Sequence, residues 1–214
     1  MHDHANEPAA ANAGRTPVSG RWRTACFTVV FGLTLGYMPS VRAQDFAIDS
    51  DRTHATFWVR PLWLKRIEGV FPVVEGAARR DRLSGALVVD LQIDTRALQM
   101  DRAQALVWAQ GPEFFDTQSD PWIRFRSNTL SIERLAEGGP ISGQLTLRGI
   151  TRGVSLDLAP SRCERPGIDC PVEVSGELSR SSFGMDTRRL VLGDAVHLSI
   201  AVYLSDADTA NTQP

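Results

Sequence analysis

Apolar and polar residues alternate with a period of two through most of the chain beyond residue 44. The clearest case is residues 141–158. Ile141, Gly143, Leu145 and Leu147 fall on one phase, and Ser142, Gln144, Thr146 and Arg148 on the other. Val154, Leu156 and Leu158 then alternate with Ser155 and Asp157. Successive side chains of a strand point to opposite faces, so this pattern predicts two strands with one buried face. The polar break between them, residues 148–153, holds two glycines that permit a tight reversal. A lone hairpin is not stable in water, so the pair must belong to a larger sheet or barrel.

The same alternation recurs at 53–60, 67–74, 83–93, 122–133, 172–178 and 196–204. In 67–74 Pro72 predicts an edge or bulge. In 122–133 the apolar phase slips by one between Phe125 and Leu130, predicting a bulge near Ser127 and Asn128. One segment changes period. Met100, Ala103, Leu106, Val107 and Gln110 follow helical spacing, and Gly111-Pro112 supplies a stop. The prediction is an amphipathic helix over Ala97 to Gln110, laid against or across one end of the sheet. Short strands separated by turn residues, with one helix, predict an all-β fold of about eight antiparallel strands, a barrel or a sandwich.

The first 43 residues break the pattern. Arg15, Arg21 and Arg23 precede an apolar run from Ala25 to Met38, and Val41 and Ala43 present small residues where a signal peptidase reads. The run is shorter than the roughly 20 residues a membrane span needs. The expectation is a cleavable signal over 1–43, a barrel domain over 44–205 and a flexible tail over 206–214, delivered to the periplasm with no permanent span. An uncleaved anchor is the alternative. Cys26 leaves with the signal. Cys163 and Cys170 flank a short polar loop, and in an oxidising compartment they are expected to bridge, two free thiols being the alternative.

Composition narrows the chemistry. A formal charge of −2 and the lack of any basic helix argue against a nucleic-acid partner. No zinc-ligand spacing, phosphate-binding glycine loop, nucleophile elbow or paired-carboxylate motif occurs, so no catalytic residue, metal or cofactor is expected. His54 and His197 both sit on the polar phase of strands.

Several stretches, in order, resemble the YceI-like family. They are Ile48-Asp49 with His54, Phe57 and Val59; Gly69-x-Phe71 with Gly76; Ile93-Asp94-Thr95; and Glu113-Phe114-Phe115-Asp116 with Pro121, Phe125 and Ser127. Gly143-x-Leu145-Thr146-Leu147-x-Gly149-Ile150-Thr151, and Arg180 with Phe183-Gly184-Met185, complete the set. The chain departs from the family in carrying Arg60 and Trp108-Ala109 where histidines are usual, and Arg180-Ser181-Ser182 without the usual acidic residue. The resemblance implies an exported, eight-stranded, lipocalin-like barrel that binds a polyisoprenoid or another long-chain lipid, and not an enzyme. On that reading the ligand contacts are Phe57, Val59, Phe71, Leu87, Val89, Trp108, Phe125, Leu145, Leu147, Leu198 and Ile200. Arg60 is weighed as a headgroup contact against a solvated strand end. The alternative is a barrel filled by its own side chains, acting as a stress-protective or interaction protein. Pairing into a homodimer is left open by the sequence.

Overall fold

The computed structural model describes residues 44–62, 65–188 and 190–205; the expected signal and the polar tail lie outside them. The strands are β1 (Gln44–Ala47), β2 (His54–Pro61), β3 (Ile67–Phe71), β4 (Val74–Arg80), β5 (Ala86–Asp94), β6 (Trp122–Ser127) and β7 (Leu130–Ser131). They continue with β8 (Gly139–Leu147), β9 (Ile150–Leu158), β10 (Val172–Ser179) and β11 (Leu192–Val202). Two helices, α1 (Ala103–Gln110) and α2 (Arg134–Glu137), interrupt them. The order in the sheet is β1-β4-β5-β6-β8-β9-β10-β11-β2-β3, with β7 on β5. Its pairings are antiparallel.

That path begins beside β4 and ends at β3, which are consecutive in the chain. The sheet therefore curls into a barrel whose seam is the covalent run through Pro72 and Val73. The described residues hold eleven strand segments rather than eight. Taking β3 and β4 as one bent strand, and setting aside the short β1 and β7, recovers the eight predicted. The bend has local causes. Pro72 has no amide proton to add to a ladder. At Gly76 φ is +145°, and a Cβ there would stand 2.0 Å from the Asp90 carbonyl oxygen. The predicted slip after Phe125 is also present. Ser127 Oγ accepts the Val89 amide at 2.9 Å, Asn128 N–H bonds Ser142 O at 2.8 Å, and the chain rejoins β5 at Leu130 opposite Leu87.

Other expectations need correction. The predicted strand over 83–93 starts at Ala86, and Leu83 is exposed in the preceding turn. The hairpin reverses at two residues, not over 148–153. Arg148 (φ +52°) and Gly149 (φ +70°) close a turn between Leu147 and Ile150, which pair directly. Positive φ at both central positions suits the right-handed twist of the flanking strands. Gly153 stays in β9 opposite Gln144.

The helix is shorter than predicted, and its buried face is different. Thr95–Ala97 forms a 3-10 turn and α1 begins only at Ala103. Between them Gln99 exchanges both backbone hydrogen bonds with Val70, each 2.9 Å. These bonds cover the outer edge of β3, and a strand edge left open invites pairing with another chain. Of the α1 residues only Ala109 is fully buried; Val107, expected on the core face, is exposed.

Cys163 and Cys170 form the expected disulfide. It closes a loop docked on the barrel through Leu204 N–H to Gly167 O at 2.7 Å and Arg52 Nη2 to Ile168 O at 3.3 Å. Cys163→Ser with Cys170→Ser is expected to cost roughly 2–3 kcal/mol by the loop-closure argument. Urea unfolding of the oxidised wild type against the double variant measures it; coincident midpoints would refute it.

Candidate functional site

Most inward-pointing residues of the barrel are apolar, but they do not fill it. Among the described residues two cavities stand out, one near each end, and they share no lining residue. The larger, about 420 Å³, lies under α1 and the loops around it. The smaller, about 170 Å³, lies at the disulfide end.

Positions along single strands show how the interior is divided. On β8, Ile141 faces the smaller cavity and Leu147 the larger, while Leu145 between them is buried and lines neither. On β10, Val174 and Leu178 open to opposite cavities with Gly176 between them. A Cβ at Gly176 would stand 2.6 Å from Leu156 Cδ2, and one at Gly143 would stand 2.6 Å from the Phe125 ring. Glycine at these two inward positions lets large neighbours lie across the interior.

The predicted contacts separate accordingly. Phe57, Val59, Phe71, Trp108, Leu147 and Leu198 line the larger cavity. Leu87, Val89, Phe125 and Ile200 line the smaller. Arg60 is exposed, with its guanidinium 5.9 Å from the Trp58 ring, and it lines neither cavity. His54 is exposed, and His197 stacks on Trp58 on the outer phase of the sheet, ring centroids 3.6 Å apart.

The larger cavity is built on an aromatic triad. Phe57 and Phe71 lie on paired strands, and Phe115 drops in from the loop after α1. Their ring centroids are 5.3–5.5 Å apart, and Phe115 meets both others edge-on. Such tilted and edge-on contacts suit the ring quadrupoles. Phe57 fits because Gly69 faces it; a Cβ there would stand 2.4 Å from the ring. At the rim Trp108 is 49% exposed although it lines the cavity, and the Arg188 guanidinium lies 4.9 Å from its ring centroid. Arg188 also pairs with Glu113 at 3.4 Å. Arg148 donates Nη1 to Gly184 O at 2.6 Å and Nη2 to Pro112 O at 2.8 Å. It thus ties the β8–β9 turn to the segments on either side of the mouth.

Among the lining residues not anticipated as part of the site is an arginine. Arg180 opens a 3-10 turn (Arg180–Phe183) after β10 and is only 1% exposed. Its Nε donates to Gly193 O at 3.0 Å, its Nη2 to Leu192 O at 3.1 Å and its Nη1 to Met185 O. The cation is thereby held in the wall by backbone carbonyls, and it anchors the start of β11 to the turn. Beside it the Ser179 hydroxyl, a short hydrogen bond to Asp194, holds that carboxyl below its usual range, and the Ser181 amide and hydroxyl at 3.0 and 3.1 Å add to the effect. Phe183 and Met185 also line the cavity but lie outside strands, so alternation does not point to them.

Comparisons with known proteins agree on the fold. BcnA of Burkholderia cenocepacia superposes with a TM-score of 0.61 at 15% identity, over 74% of this chain and 99% of that one. A polyisoprenoid-binding domain from Saccharophagus degradans superposes with a TM-score of 0.56 at 12% identity, over 75% of this chain and 97% of that one. In sequence, a UPF0312 protein of Serratia proteamaculans is 26% identical over 183 residues, 81% of this chain and 94% of that protein. The model of the YceI-like domain matches residues 46–204, nearly all of the barrel just described, and the chain belongs to the YceI-like family.

Proposed function

We propose that the protein is exported and that its larger cavity holds one long-chain apolar molecule, of the polyisoprenoid or isoprenoid-quinone class. The observation that carries this reading is the cavity itself. Its 420 Å³ fall within the roughly 300–1,000 Å³ of small-molecule pockets. Its wall is almost wholly aliphatic and aromatic, with Arg180 engaged by carbonyls and Arg188 at the rim. Removal of an apolar chain from water into it is favourable by about 25 cal/mol per Å², before association costs. The Saccharophagus neighbour is a polyisoprenoid-binding domain, which favours the same ligand class. A barrel filled by its own side chains would leave no such space. Binding rather than catalysis is the role this wall suits.

Native mass spectrometry of protein recovered from a lipid-containing host tests the reading. A single added mass, released by organic solvent, is expected. An apo mass after recovery and after challenge with isoprenoids would overturn it.

Export rests on the arginine-flanked apolar run and on the disulfide, which persists in oxidising compartments. Among the described residues no helix is long and apolar enough to cross a membrane. The periplasmic protein is expected to begin at Gln44. Its intact mass measures this, and a species retaining the apolar run in the membrane fraction would refute it.

A further inference from the structure

The smaller cavity has a chemistry of its own. Its wall is aliphatic and aromatic except for Arg80 and Ser127. Arg80 ends β4 on the inward phase, two residues after buried Ala78, so the pleat turns a cation toward the barrel interior. Its Nε is shut off from solvent and has no hydrogen-bond acceptor among the described residues. The carboxylate that acts on it, Glu133, is exposed and is held first by its own backbone amide and by the Ser131 hydroxyl. Arg80 is half-buried, but a guanidinium Nε that is desolvated and unmatched carries a cost that an anionic partner would relieve. Ser127 Oγ accepts the Val89 amide, which leaves its hydroxyl proton free to donate. The floor comes from the disulfide loop, whose Pro166 and Ile168 line the cavity.

We infer that this cavity is a second binding site, separate from the long-chain site, for an aliphatic carboxylate of medium chain length whose head pairs with Arg80. The volume of about 170 Å³ matches a small hydrocarbon rather than a long one; an apolar protein cavity of roughly 150 Å³ holds benzene. A carboxylate suits the guanidinium because two parallel N–H···O bonds match its fork, and such charge-assisted bonds are about twice as strong as neutral ones. An alcohol of the same chain length gains the burial but not the pair, and an alkylammonium meets a like charge.

Calorimetric titration with octanoate, 1-octanol and octylammonium tests the inference. Octanoate is expected to bind at least about 10-fold tighter than 1-octanol, the factor for one charge-assisted pair. Octylammonium is expected not to bind. Arg80→Gln should erase the preference while leaving 1-octanol binding unchanged and without lowering the unfolding midpoint, and Arg80→Lys should keep part of it. Leu198→Trp, which fills the larger cavity, should leave octanoate binding intact even where it displaces an isoprenoid. Equal affinity for the acid and the alcohol, or full octanoate affinity in Arg80→Gln, would overturn the inference. So would loss of octanoate binding in Leu198→Trp, because the acid would then be shown to sit in the long-chain site. None of these results depends on whether an isoprenoid is bound.

Discussion

Leu147→Glu is expected to abolish binding of the proposed long-chain ligand. Leu147 is buried at the end of β8, held by the tight turn that follows, and lines the larger cavity. A carboxylate there meets an apolar wall; of the two described cations that line it, Arg180 is engaged by the Gly193, Leu192 and Met185 carbonyls and Arg188 pairs with Glu113. Burying such a group without a partner costs several kcal/mol, which drives the carboxyl to stay protonated or draws water into the cavity. A loss of about 3 kcal/mol of binding is roughly 100-fold in affinity. Leu198→Trp supplies the control, because it removes volume without adding charge. Native mass spectrometry should find both variants apo, with Leu198→Trp unfolding near the wild-type midpoint. Wild-type lipid occupancy in both would refute the placement of the ligand.

Arg180→Met should destabilise the barrel more than other single changes in its wall. Methionine has a similar reach but no donors, so the carbonyls of Gly193, Leu192 and Met185 would each lose a charged hydrogen bond in a buried setting. Leaving a buried acceptor unmatched costs about 1–3 kcal/mol. Relaxation and water entry recover part of the total, so an overall loss of about 3–5 kcal/mol is expected. The start of β11, which closes the barrel against β2, should loosen first. Urea unfolding measures the loss, and hydrogen exchange at residues 192–196 measures its location. A loss below about 1 kcal/mol, with unchanged exchange there, would refute the role.

The strands and their inward faces were legible in the sequence because period-two alternation reports which way a side chain points. It does not report how deep along the barrel a residue lies. Leu198 and Ile200 share a phase on β11 yet open to different cavities, and Leu145 shares that of Leu147 yet lines neither. Division of the interior depends on contacts between strands, such as Phe125 against Gly143, which no single strand encodes. The helix start was misplaced for a similar reason. Residues 97–102 have helical spacing, but Gln99 gives its backbone groups to β3. Arg180 was hidden by chemistry. In the sequence it stands out only as part of the family resemblance, and only tertiary structure gathers three carbonyls around its guanidinium.

The ladder between β2 and β11 also governs how the molecule must come into being. Thr56 there bonds Ser199, 143 positions along the chain. Most of the other ladders join neighbours in sequence, so hairpins such as β8–β9 can form early and at little entropic cost. Closure cannot precede the arrival of the last strand, and contacts between distant positions make folding slow. Until then β2 has only β3 beside it and exposes its other edge. A chain that stays open until its end is available leaves that edge of β2 unpaired through most of folding. It must also be guarded against pairing with its neighbours during that interval.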